Sequence, residues 1–418
     1  MADTSFDWRS FLDRWSEEWA DSWDPAESLH PEDEEARRTR RLGFDPAPAT
    51  RIAALEERLG RRLPPSYREF LDVTDGWRHA GGFVWLLAGT EGVRWHEDEA
   101  GLAELYEEEL DEDSTPEMVL LAGMWTRALQ LDAESDATYV LLDPMDVDAD
   151  GEWAVYYCRA WAGDLPERYA SFREFMVAMH RGFHSLRAGG GSGREFVNAT
   201  TRALDAALEV ARRDALGGAY ERAETELANA QAYGRPRARA LRDQIRRLLG
   251  ETYLVNFGGH AVDPVYASEL LPALADLHVH NGHDDAVWSY HFGSVSDEVR
   301  ASADELLRRV RDRTYRYTAQ GAFGRAVDTA REQARCGETG AAWRTLLAAL
   351  PTWQPVGPDH LAPLGLLADP ILGPLITPER GRELLATPRG GEHGSAPVPP
   401  ADLDPAWGPP RTDDAPSG

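Results

Sequence analysis

The 418-residue chain contains no lysine, so its side-chain positive charge rests on arginine alone. That absence excludes a Schiff-base enzyme, a phosphate loop built on lysine, and kinase-type chemistry, each of which needs an ammonium group. Cysteine is almost absent: Cys158 and Cys336 lie far apart, which excludes a disulfide-stapled secreted scaffold. No apolar run approaches the roughly 18 residues of a membrane span. Residues 1–7 carry acids where a secretory signal needs basic and then apolar residues. A cytoplasmic chain with no membrane partner is expected.

Acid is what the chain has in excess. The net charge is −28, and it is uneven: residues 1–200 hold 42 acids against 20 arginines, residues 201–418 hold 30 against 24. Such a surface repels nucleic acid and anionic membranes and draws basic partners inward. The length suits two to three domains and buries enough apolar surface to need no metal or disulfide staple.

Residues 1–43 read as an acidic, tryptophan-rich helix and connector. Trp8, Phe11, Leu12, Trp15, Trp19 and Trp23 recur at helical spacing, which predicts a packed face; an exposed aromatic anchor for a partner is the alternative. Residues 46–60 predict an amphipathic helix with Ile52, Leu55 and Leu59 inward, Thr50 as N-cap and Gly60 as stop. A second helix follows from Pro64-Pro65, with Tyr67, Phe70 and Leu71 on its apolar face. Short apolar runs at Phe83–Leu87, Met118–Ala122, Ala128–Leu131, Tyr139–Leu142 and Trp153–Tyr157 predict strands, and residues 171–184 return to helical spacing. The order predicts an α+β domain.

The run Ile52-x-x-Leu55-Glu56-x-x-Leu59-Gly60-x-x-Leu63-Pro64-Pro65-Ser66-Tyr67-x-x-Phe70-Leu71-x-x-Thr74-Asp75-Gly76 resembles the opening signature of the SUKH superfamily. That superfamily includes the Smi/Knr fungal cell-wall regulators and many bacterial immunity proteins. Trp153 and the closing Ser171-Phe172-x-x-Phe175 fit its end, so the resemblance spans about residues 45–185. It implies a mixed sheet with flanking helices and a protein-binding module, with no catalytic residue to carry over. Its signature residues are themselves expected in the core.

The expected organisation is therefore a SUKH-like domain over residues 44–186, a Gly-rich linker at 187–194, an all-α repeat-like domain over 195–387, and a disordered Pro/Gly-rich tail at 388–418. In the helical half one pattern recurs: Gly218-x-Tyr220-x-x-Ala223-x-x-x-Leu227, Gly321-x-Phe323-x-x-Ala326-x-x-x-Ala330 and Gly337-x-Thr339-x-x-Ala342-x-x-x-Leu346. It is similar to the second helix of tetratricopeptide-type repeats.

Three constellations invite a chemical reading. Asp276-Leu277-His278-Val279-His280, with His283 beyond, resembles the metal strand of amidohydrolases, because histidines two apart on a strand share a side. Helical flanks make a polar surface loop the plainer expectation, with a metal-dependent hydrolase as the third functional alternative. Asp146–Gly151 begins like a calcium loop, but Tyr157 stands where a bidentate glutamate is required, which predicts a hairpin turn. Cys158 has His180 and His184 downstream but no activating motif, and reads as a small core residue.

The informative surface feature is acidic. Eleven acids lie between Glu97 and Glu117, with no arginine from Arg94 to Arg127. Leu102, Leu105, Tyr106 and Leu110 predict a docked helix whose outer face carries Glu104, Glu107, Glu108, Glu109, Asp111, Glu112 and Asp113. These seven are the candidate partner-binding residues; a solubility device is the plainer reading. The expected function is non-enzymatic: an immunity protein that occludes a basic, nuclease-like toxin domain, with a regulatory scaffold as the alternative. No catalytic residue, metal or other cofactor is assigned.

Overall fold

The computed structural model describes residues 6–23, 30–188, 196–293 and 295–391. Its contacts divide the chain into two compact units, Met1–Asn198 and Ala199–Gly418. Of the linker expected at 187–194, Arg187 and Ala188 belong to a helix, while residues 189–194, like the tail beyond 391, lie outside the described residues.

The first unit opens with helix α1 (Trp8–Asp21), started by Asp7, whose carboxylate accepts from the Ser10 amide at 3.1 Å. The tryptophan spacing makes core: Trp8, Phe11, Leu12, Trp15 and Trp19 are all buried. Helices α2 (Pro31–Thr39), α3 (Ala49–Leu59) and α4 (Pro65–Val73) follow. The cap of α3 is Pro48, not Thr50: proline holds the extended backbone that breaks the chain there, and Thr50 falls inside the first turn. Gly60 ends α3 at φ +69°, a left-handed conformation that suits glycine.

The strands are β1 (Trp77–Arg78), β2 (Val84–Leu87), β3 (Arg94–Trp95), β4 (Leu129–Gln130), β5 (Asp132–Ser135), β6 (Thr138–Val147), β7 (Trp153–Arg159) and β8 (Glu167–Tyr169). Helices α5 (Leu102–Glu108) and α6 (Pro116–Met124) lie between β3 and β4, and α7 (Phe172–Ala188) closes the unit. The α+β class holds. The strands expected in one mixed sheet form two antiparallel ones, ordered β1-β2-β5 and β3-β4-β6-β7-β8. Hairpin connections such as β6–β7 impose that direction. Leu131 joins the sheets: its amide donates to Val140 O at 2.9 Å and its carbonyl accepts from the Ala88 amide at 2.7 Å.

Aromatic rings knit the helices of this unit together. Trp8 packs on Phe70 of α4 (centroids 5.6 Å apart) and on Phe172 of α7 (5.9 Å), while Trp15 meets Trp77 at 5.5 Å. Asp148–Gly151 forms the expected hairpin turn, its Asp148 carboxylate accepting from the Asp150 and Glu152 amides at 2.9 Å each. Cys158 lies buried in β7.

The second unit is helical: α8 (Ala199–Gly217), α9 (Tyr220–Ala232), α10 (Pro236–Leu248), α11 (Ala267–His280), α12 (Asp285–Tyr290), α13 (Asp297–Arg311), α14 (Gly321–Arg335), α15 (Thr339–Ala349) and α16 (Pro378–Ala386). Helices α8 and α9 pack as one hairpin, α14 and α15 as another. The recurring pattern thus falls on α9, α14 and α15, so its middle copy is the first helix of a pair and not a second one. At Gly381 of α16 a Cβ would collide with the Leu248 carbonyl ending α10, which is why glycine stands inside that helix.

Residues 388–391, expected in the tail, pack on this unit. Arg389 is buried, and its guanidinium donates to the carbonyls of Leu361, Leu384, Leu385 and Thr387. Burial pushes it down to about 9. Glu269 of α11 is also buried, accepting from the Tyr317 hydroxyl at 2.6 Å and the Gly365 amide at 3.0 Å.

Burial raises the Glu269 carboxyl from its ordinary 4.5 to about 7. Between those values the folded chain holds a proton that the unfolded chain has lost, so stability falls as pH rises through the window. The expected loss is about 3 kcal/mol at most. Urea midpoints of the wild type and Glu269→Gln at pH 5 and pH 8 should differ in slope, the variant lacking this decline.

Candidate functional site

The acidic segment is built on a short helix and a turn. Asp98 starts it: its carboxylate accepts from the Leu102 and Ala103 amides at 3.0 and 2.7 Å, so this acid is a structural cap. Helix α5 carries Glu104, Glu107 and Glu108; Glu109 ends it. The turn beyond holds Asp111, Glu112 and Asp113, with the Asp111 carboxylate accepting from the Asp113 amide and the Ser114 hydroxyl at 3.0 Å each. All seven predicted contact residues are exposed, on α5 and the turn that follows it.

The docked face differs from the predicted stripe. Leu102, Ala103 and Tyr106 pack against Met124, Trp125, Ala128, Leu141, Ala154, Tyr156 and Cys158, with the Tyr106 and Trp125 rings stacked at 5.8 Å. Leu105 is turned outward, 53% exposed. The Met118–Ala122 run, expected as a strand, lies in α6, because Thr115 and Pro116 supply a helix start and the run lacks alternation. Met118 and Val119 are 43% and 51% exposed, and α6 packs on α5. Leu105, Met118 and Val119 thus add apolar surface to an anionic edge, a combination suited to protein contacts. A strand reading of α6 hid them.

Two ion pairs anchor β6, and one of them braces α6. Arg127 is bidentate to the fully buried Asp143 of β6, Nε–Oδ1 2.9 Å and Nη2–Oδ2 2.7 Å, and Nη2 also donates to Leu120 O of α6 at 3.0 Å. Arg168 is bidentate to Asp146 at 2.6 Å for each bond, and the Tyr156 hydroxyl donates to the same carboxylate at 2.7 Å. Against the pull of burial, Arg168 and Tyr156 hold the Asp146 carboxyl below its ordinary value.

The histidine motif is placed differently from the strand that a shared metal requires. His278 and His280 end α11, where residues two apart diverge by roughly 200°. His278 is buried beside Trp288, while His280 and His283 are exposed. The segment is helix and turn instead of loop. Burial and the nearby Arg311 push the His278 imidazole down. His180 and His184, read beside Cys158, instead converge on Glu18 of α1. Among the described residues, Glu18, His180 and His184 are the group whose donor atoms lie close enough to hold an ion.

Antiparallel sheets flanked by helices, closed by an aromatic helix, define a small α+β architecture in this unit. Residues 46–178 match the SMI1 / KNR4 family (SUKH-1), and this segment is a SUKH domain. No curated protein and no solved structure matches the chain. No helix among the described residues is long and apolar enough to cross a membrane.

Replacing Arg127 by methionine strands the buried Asp143 carboxylate. The expected cost is about 3–5 kcal/mol in urea unfolding, with Arg127→Met/Asp143→Leu recovering part of it.

Proposed function

We propose that this chain is a non-enzymatic immunity protein that neutralises a basic, nuclease-like toxin domain by stoichiometric binding through its acidic edge. The observation that carries the reading is the exposed set Glu104, Glu107, Glu108, Glu109, Asp111, Glu112 and Asp113 around Leu105, Met118 and Val119, within the SUKH segment. Carboxylates of one sign speed association with a cationic surface and compete with that partner's anionic substrate. The apolar side chains between them supply area that charge alone does not.

A second reading, a regulatory scaffold, is favoured by Tyr253, Leu254 and Tyr290 of the helical unit, which are 90%, 69% and 86% exposed.

The test is affinity capture on the full chain, eluted in a salt gradient, beside Glu107→Arg/Glu108→Arg/Glu109→Arg and Tyr253→Ser/Leu254→Ser. The expected result is one basic protein, inactivated at one-to-one stoichiometry and bound at least about tenfold more weakly by the charge-reversed chain. Binding indifferent both to charge reversal and to salt between about 50 and 300 mM would overturn the immunity reading. Loss confined to the Tyr253/Leu254 variant would move the function to the scaffold.

A further inference from the structure

Glu18 lies in the third turn of α1, and His180 and His184 lie one turn apart on a single face of α7, all three outside the matched segment 46–178. Glu18 Oε2 stands 3.0 Å from His180 Nε2 and 2.8 Å from His184 Nε2. All three residues are buried. Phe11 and Trp15 face His180 at 5.4 and 5.2 Å between centroids, Phe183 and Phe196 face His184 at 5.2 Å each, and the Arg14 charge also acts on His180.

We propose that Glu18, His180 and His184 form a site for a divalent ion of the zinc class, which ties α1 to the closing helix of the SUKH domain. The donor set is the first reason. Two imidazole nitrogens four residues apart on a helix, joined by one carboxylate oxygen from a distant element, suit zinc in both ligand type and charge. The geometry is the second. The three donor atoms lie within 4.8 Å of one another, and tetrahedral zinc would hold them roughly 3.3 Å apart. Glu18 Oε2 would need to move from each imidazole nitrogen by only a few tenths of an ångström.

Metal binding would displace the Nε2 hydrogens that bond Glu18, leaving each imidazole as its Nδ1–H tautomer. Burial pushes the His180 imidazole down to about 4, leaving it neutral. Burial alone would raise the Glu18 carboxyl, but its bonds to His180 and His184 outweigh that and keep it ionised. A metal needs both conditions in its ligands. Three protein donors leave the fourth position of a tetrahedron to a water molecule.

The experiment uses the full chain, stripped with chelator and titrated with zinc chloride, in the wild type and in a His280→Ala/His283→Ala background that removes exposed imidazoles. Elemental analysis should find one retained zinc per chain in both. The melting temperature should rise by about 5–10 °C at a hundredfold excess over the dissociation constant. Glu18→Gln and His184→Gln should each lose the retained zinc and the thermal shift. Should these variants fail to fold, cobalt titration of the wild type decides: a visible absorption band saturating at one equivalent supports the site. A folded chain that retains no zinc and gives no such band overturns it, the trio then sharing only protons. Zinc lost in the His280→Ala/His283→Ala chain, or kept in folded Glu18→Gln and His184→Gln, overturns it as well.

Discussion

Aromatic packing between α1, α4 and α7 is the constraint on which the first unit depends. Trp8 contacts Phe70 and Phe172, and Tyr67 reaches Phe172 at 4.8 Å, so three helices distant in sequence share one set of rings. Burial of each such ring contributes on the order of 2–3 kcal/mol. Seating α1 in this cluster also carries Glu18 to the two histidines of α7. Ring packing is non-directional along a helix, whereas the Glu18 contacts are directional. Together they fix both the depth and the rotation of α1.

The acidic edge rests on a different balance. Glu107, Glu108 and Glu109 crowd the C-terminal turn of α5, where the helix dipole is already negative, and no arginine lies between Arg94 and Arg127 to offset them. Asp98 at the opposite end favours the helix. Local electrostatics therefore disfavour the far end of α5, and Tyr106 on Trp125, with the Arg127–Asp143 pair behind α6, holds it in place. The edge is a region of self-repulsion held by the packing beneath it, and a cationic surface would relieve that repulsion.

The legibility of the sequence followed the range of the interactions. Local periodicity and turn residues revealed the buried face of α1, the end of α3 at Gly60, and the hairpin at Asp150-Gly151. Run length misled at α6, since an apolar stretch bounded by turns fits a strand or a helix equally. At Leu105 the helical stripe was read one position too wide, and the neighbouring Ala103 took the inward place. The Asp276–His280 motif looked chemical under strand geometry, and helix geometry separates its histidines. The Glu18 site was out of reach: His180 and His184 showed their i, i+4 spacing, but their partner stands 162 and 166 residues away, and only tertiary packing brings it there.

Arg389 sets an order on the birth of the molecule. Its amide donates to Leu216 O at the end of α8, and its side chain fills a carbonyl-lined place beside α16. The first helix of the second unit therefore waits for a residue about 170 positions downstream before its end is covered. On the ribosome the first unit has all its rings and both its sheets before that wait begins. Every residue of the first unit's rings and sheets is thus synthesised while the helical unit still lacks the residue that covers its first helix.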